Sequence, residues 1–260
     1  MRFRYATFAL AACLPVWAGD PANLRVVRFN EATPFHMGKV TSMRIVSPGT
    51  GAKQLTLNYS TSQPGDEFSQ HTHDGSDDTI LVLEGAADLR QGPNRTPMAA
   101  GTCAFVPGRQ IHGTITTAKD TIMISTQVPP DLVLYTGARD SSKPGAAPVQ
   151  GDITPWAVKY VQFAGKNGSF VDKTIGAKRE AVARRVLKKG QSMSAPGAAG
   201  GEQLFFVWKG AVRVTSGSQV YTVGEKDTVF WQGRGRVQVT GDSMEPAVVI
   251  QIQAPPHRLK

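Results

Sequence analysis

Cysteine is almost absent from this chain, with Cys13 and Cys103 the only two in 260 residues. Loss of an N-terminal leader carrying Cys13 leaves a single thiol, which excludes an intrachain disulfide and assigns stability to buried cores. Cys103, in the apolar run Cys103-Ala-Phe-Val106, reads as a small buried hydrophobe and not as a thiolate ligand. Histidine is also scarce, at five. The first half carries no helical stripe of any length, which excludes a helix-rich domain there. Basic side chains exceed acidic ones by nine, but they are dispersed and no aromatic-basic stripe accompanies them. A solvated basic surface follows, with no nucleic-acid partner.

The N-terminus begins Met-Arg-Phe-Arg, continues through an apolar stretch at residues 5–17 and ends in Val16-Trp17-Ala18. Residues 1–18 thus read as a secretory signal peptide, too short to span a bilayer as a mature helix. Cleavage after Ala18 removes Arg2 and Arg4 and lowers the net charge from +9 to +7. Leu10-Ala-Ala-Cys13 offers a competing reading as a lipoprotein box, with Cys13 acylated and anchoring the chain to a membrane. Both readings take the protein out of the cytoplasm, to the periplasm or beyond.

What is present is a succession of short alternating strands and turns. Residues 23–30 read as an entry strand, followed by strand-like segments at 42–46, 53–59, 80–83, 86–90 and 121–128. Residues 136–152, rich in Gly, Pro, Ser and Ala, read as a linker between domains at 22–135 and 153–260. The pattern then repeats. Gly51-Ala52-Lys53 recurs as Gly176-Ala177-Lys178, Gly65 as Gly190 and Gly85-Ala86 as Gly210-Ala211, each 125 positions on. Gln127-Val-Pro-Pro echoes Gln253-Ala-Pro-Pro at an offset one residue longer, so the domain is duplicated.

Chemistry concentrates between Gly65 and His112. His71 and His73, one residue apart, share one face of a strand. A short polar connection leads to Asp78 and the apolar run Ile80-Leu-Val-Leu83, and a Pro107-Gly108 turn precedes His112. Three imidazoles and a carboxylate form a candidate metal site: His71, His73, Asp78 and His112. By ligand type Fe, Mn, Zn, Ni and Cu all suit it as divalent ions. Leu57, Leu81, Leu83, Phe105, Ile122 and Ile124 read as the apolar wall around it. Arg109, beside His112, could pair with a substrate carboxylate, pair with Asp77 or face solvent; Asp74, Asp77 and Gln110 lie in the nearby turns. His36 reads as a surface histidine. Adding 125 to His71, His73 and Asp78 gives Pro196, Ala198 and Gln203, so the second copy lacks this ligand set. Its Arg184-Arg185 and Lys188-Lys189 pairs read as a solvated strand edge before an anion site.

The spacing resembles both signatures of the cupin superfamily. Gly65, five residues, His71-x-His73, four residues, Asp78, six residues and Gly85 match the first, with Asp where Glu is usual. Gly101, five residues, Pro107, then His112 match the second, with Arg109 where Gly is usual and Thr116 where Asn is usual. The resemblance implies an all-β fold of two double-stranded β-helix (jelly-roll) barrels in tandem, with a metal-type first barrel and a degenerate second. It also implies a small-molecule substrate or ligand and a possible homodimer. Duplicated cupins include quercetin-type dioxygenases, oxalate decarboxylases, ureidoglycine aminohydrolases and pirin-like proteins. An exported metal-dependent enzyme is therefore expected, oxygenase first, then lyase, decarboxylase or isomerase, with a non-catalytic ligand-binding cupin as the alternative.

Overall fold

A computed structural model describes residues 23–255; the signal-peptide and Cys13 readings lie outside the described residues. Those residues form four antiparallel sheets, with short 3-10 turns and no α-helix among them. In the first half, a seven-stranded sheet runs in the order Lys159–Gln162, Thr102–Val106, Asp77–Glu84, Thr121–Val128, Leu57–Ser62, Val40–Val46, Thr33–Met37. It faces a four-stranded sheet of Glu67–His71, His112–Thr116, Ala86–Gln91 and Asn94–Ala99. The second half repeats this with a six-stranded sheet centred on Glu202–Lys209 and Ala247–Ala254, and a four-stranded sheet of Ser192–Pro196, Arg236–Gly241, Val212–Ser216 and Gln219–Val223. The fold is two jelly-roll barrels in tandem.

Strand register carries the duplication to single residues. Asp78 lies opposite Val106 on one side and Gln127 on the other. At the offset of the repeat, Gln203 lies opposite Trp231 and Gln253. Gly85 and Gly210 both adopt φ +74°, and a Cβ at either would press into the strand opposite, at Thr121 or Ala247. Glycine is required at both places for conformation and for space.

The sheets do not divide where the sequence does. The entry strand, Leu24–Val27, pairs with Thr228–Gln232 in the second barrel's sheet, not in the first's. Reciprocally, Lys159–Gln162 leaves the second half to pair with Thr102–Val106. Each half thus closes an edge of the other.

Side-chain parity corrects the expected wall of the metal barrel. Because Asp78 points into the first barrel, Ile80 and Val82 do as well, and they pack there with Leu89, Met98, Val106 and Met123. Leu81 and Leu83 point the other way. With Leu57, Phe105 and Ile124 they form one cluster with Phe170, Val182, Leu204, Phe206, Phe230, Ile250 and Ile252 of the second half, and Ile122 packs against it. The apolar run Ile80-Leu-Val-Leu83 is buried on both faces, so hydrophobicity alone does not show which face is the interior. Cys103 is fully buried in the same inter-barrel cluster, and burial pushes its thiol pKa well up, which makes it an inert packing residue.

Two carboxylates cross the junction. Glu202 accepts hydrogen bonds from the backbone N–H groups of Lys53 (2.7 Å), Gln54 (2.8 Å) and Leu55 (3.3 Å), and from Gln232 Nε2 (2.8 Å). It ties the second barrel to a loop of the first. Glu180 is fully buried; Thr79 Oγ1 donates to its Oε1 at 2.5 Å, while Oε2 has no partner. By the repeat offset Glu180 and Thr79 occupy the positions of Leu55 and Leu204, both of which lie in the apolar cluster.

Burial raises the Glu180 pKa to about 8 from its ordinary 4.5. A raised folded-state pKa means that stability is full below pH 4.5 and declines as pH rises through about 8. Glu180→Gln keeps an acceptor for Thr79 and removes the titration. Urea unfolding of wild type and variant is expected to coincide near pH 4.5 and to diverge at pH 9, with the variant the more stable. Parallel pH profiles would refute the assignment.

Candidate metal centre

His71 closes strand Glu67–His71 and His112 opens strand His112–Thr116, and the two are direct cross-strand partners. His73 follows two residues on, and Asp78 enters from the opposing sheet through strand Asp77–Glu84. All four side chains are buried. Their donor atoms lie within 4.8 Å of one another. His71 Nε2 is 3.1 Å from His73 Nε2, and Asp78 Oδ2 is 3.3 Å from His112 Nε2 and 3.5 Å from His73 Nε2. Neighbouring ligands about 2.0–2.1 Å from one ion, set at tetrahedral or octahedral angles, stand about 2.8–3.4 Å apart.

The Nδ1 side of each ring shows why these nitrogens fit an ion. His71 Nδ1 lies 2.9 Å from the Ser69 carbonyl, His112 Nδ1 lies 2.9 Å from the Gln110 carbonyl, and His73 Nδ1 lies 2.7 Å from Asp131 Oδ2. Each acceptor takes the Nδ1 proton of a neutral ring and leaves a lone pair on Nε2. Three lone pairs and an ionised carboxylate then face one point, and Asp78 Oδ1 has no hydrogen-bond partner. Such a set is costly without a cation and suits a divalent ion.

The electrostatics differ from ring to ring. Burial, then the His112 and His73 rings, push the His71 pKa well below 6.5, which keeps it neutral. Burial also acts to lower His73, but the Asp131 and Asp78 carboxylates outweigh it and raise its pKa. Burial opposes ionisation of Asp78, yet the His112 and His73 rings beside it hold its carboxyl below the usual carboxylate range. Asp131 is held at about 2 against its own burial by His73 and Arg139.

Asp131 and Arg139 were not legible as site residues. Arg139 Nε lies 2.7 Å from Asp131 Oδ2, and its Nη2 donates to Asp74 Oδ2 at 3.1 Å. Arg139 belongs to the segment read as a linker, which is laid across the mouth of the first barrel. Ser69 Oγ and the Gly38 N–H donate to Asp140, Ser141 Oγ donates to the Gln70 carbonyl, and Thr72 Oγ1 donates to the Gln150 carbonyl. A cavity of about 370 Å³ lies between this strap and His71. A Gly- and Pro-rich composition signals missing periodicity, and such a segment can still be firmly docked.

The remaining candidates fall outside the site. Arg109 is exposed and lies 3.6 Å from Asp152, not on Asp77 and not in the barrel. Asp77 accepts from the Gly108 N–H and faces Arg179, and Gln110 accepts from the Thr154 N–H. His36 is exposed and paired with Thr41. Strand Ala181–Leu187, which carries Arg184 and Arg185, is hydrogen-bonded on both sides and is not an edge. In the second barrel, Trp231 occupies the position of Val106 and is fully buried, while Gln203 is hydrogen-bonded to the Pro196 carbonyl and Gln251.

The comparison with known families bears on the stretch that holds these ligands. Residues 58–126 match the cupin domain. Among solved structures, an oxalate decarboxylase from Bacillus subtilis studied for its Mn(II) centres is 12% identical, with a TM-score of 0.68 over 90% of this chain and 78% of that one. The bacterial pirin YhhW from Escherichia coli, in complex with nickel(II), is 16% identical, with a TM-score of 0.65 over 90% of this chain and all of that one. At such identities the likeness is one of fold. No curated protein matches the chain.

Proposed function

We propose that this cupin-domain protein is exported, holds one divalent transition-metal ion at His71, His73, Asp78 and His112, and acts there as a metal-dependent enzyme on a small oxygenated molecule. The observation that carries the reading is the convergence of three Nε2 lone pairs and the Asp78 carboxylate, with every Nδ1 occupied. Mn(II) and nickel(II) in the two similar structures support a divalent ion without choosing one. Bound there, the ion would supply Lewis acidity and, for a redox metal, a route for electrons to dioxygen. The protein's own contribution is to fix the rings through their Nδ1 partners, to exclude bulk water, and to leave cavities beside the ligands, one inside the barrel and one under the strap. Oxygenase chemistry stands first, then lyase, decarboxylase or isomerase.

A non-catalytic, metal-assisted binder is the second reading, and one observation favours it. Apart from the candidate ligands, the cavity of about 40 Å³ beside them is lined by Asn58, Ser60, Gln127 and other groups that do not titrate near neutral pH. Among the described residues, that cavity holds no separate general acid or base. Metal analysis of protein loaded in its own compartment, followed by oxygen-uptake and carbon dioxide-release screens, separates the two. A chain without stoichiometric metal defeats both readings.

Asp131 gives a graded test of the same site. Its carboxylate orients His73 and makes the ring a better donor, so Asp131→Asn is expected to weaken metal affinity by about 10- to 100-fold in a chelator competition. Unchanged affinity would remove Asp131 from the account.

A further inference from the structure

The first barrel contains a second buried acceptor that the ligand set does not use. Gln127 is 1% exposed, and its Oε1 has no hydrogen-bond partner. It lies directly across the strand pair from Asp78, whose Oδ1 is equally without a partner. Both line the cavity of about 40 Å³, together with Asn58, Ser60 and Ser125. Asn58 accepts from Tyr135 Oη at 3.3 Å and Ser60 Oγ pairs with Ser42 Oγ at 2.6 Å, so these neighbours are already engaged. A buried acceptor left unpaired carries a desolvation cost of about 1–3 kcal/mol, which a bound donor recovers.

The second barrel provides an internal control. There the register pair is Gln203 and Gln253, with Gln253 in the place of Gln127; Gln203 is hydrogen-bonded at both ends of its amide, neither glutamine has a buried amide atom without a partner, and the space beside them offers no measurable cavity. The unpartnered acceptor and the cavity therefore occur together, in the barrel that carries the ligands.

Charge narrows what could fill the space. Three neutral imidazoles, one carboxylate and a divalent ion leave one net positive charge in a buried site, while Asp131 and Arg139 neutralise each other beside it. A monoanion balances that charge. At about 10–15 Å³ for each water-sized group, the cavity admits only a few non-hydrogen atoms. We infer that Gln127 is a specificity-determining residue that accepts a hydrogen bond from the hydroxyl of a small hydroxylated monoanion, of the 2-hydroxycarboxylate class. This rests on the metal reading above.

The test uses the full-length protein loaded with cobalt(II), whose visible spectrum reports ligand entry. Glycolate and acetate are the probes, since they differ by one hydroxyl. Wild type is expected to bind glycolate the more tightly. Gln127→Met, of similar length and without the acceptor, should lose about three- to tenfold in glycolate affinity, with acetate affinity and cobalt content unchanged. Should that variant fail to fold, Gln127→Asn, which withdraws the acceptor by one methylene, is expected to show the same selective loss. Cobalt bound normally but glycolate bound equally by wild type and variant, or not at all by wild type, overturns this inference and leaves the metal reading standing. Failure of wild type to take up cobalt overturns the metal reading instead.

Discussion

Replacing both His71 and His73 by alanine is expected to take the protein from about one tightly bound metal ion per chain to none, with the barrel still folded. Two of the four donors disappear, and those that remain, Asp78 and His112, face each other at 3.3 Å. Coordination by two protein groups does not retain a first-row divalent ion against a chelator. The fold survives because its cores lie elsewhere. The apolar filling of the first barrel is Ile80, Val82, Leu89, Met98, Val106 and Met123, which form a cluster of their own. Asp131 is not stranded by loss of His73, since Arg139 stays 2.7 Å away. The measurement is metal content after dialysis against chelator, with circular dichroism as the control for folding. A double variant that retains one ion per chain would sink the assignment.

Much of this site could be read from residue spacing alone, because period-2 geometry converts His71-x-His73 into two side chains on one face whatever the rest of the chain does. Asp78 was identified by its distance to Gly85, and the structure brings it to the histidines. The duplication was equally legible, since the repeat is written in glycines whose positive φ no other residue tolerates well. What the sequence hid depends on long-range placement. Asp131 follows two prolines and has no spacing signature, yet it holds His73. Glu180 looks like any surface acid and is fully buried, because only the approach of the second barrel to Thr79 determines its surroundings. The facing of Leu57, Leu81, Leu83, Phe105, Ile122 and Ile124 is hidden for another reason: a strand buried on both sides is apolar at every position, so hydrophobicity does not mark its inner face.

That double burial leads to the second large effect. Residues 23–140 expressed alone are expected to be insoluble or to self-associate, although they contain every candidate metal ligand. Two separate losses cause this. Strand Thr102–Val106 loses its partner Lys159–Gln162 and becomes an open edge. The outer face of the seven-stranded sheet loses the second barrel, which exposes Leu55, Leu57, Leu81, Phe105 and Ile124, all now at most 2% exposed. At about 1.5–3 kcal/mol for each large apolar side chain, these five alone match the whole stability of an ordinary domain, about 5–15 kcal/mol. The N–H groups of Lys53 to Leu55 also lose the Glu202 carboxylate that satisfies them. A fragment of residues 23–164 separates the two causes, since it restores the edge strand and leaves the apolar face bare. Co-expression of residues 141–260 with the shorter fragment is expected to recover soluble, metal-binding protein, because the missing half supplies both the strand and the cover. A 23–140 fragment that is monomeric, soluble and cooperative in unfolding would show that the first barrel needs neither, and the second would then require another reason to be there.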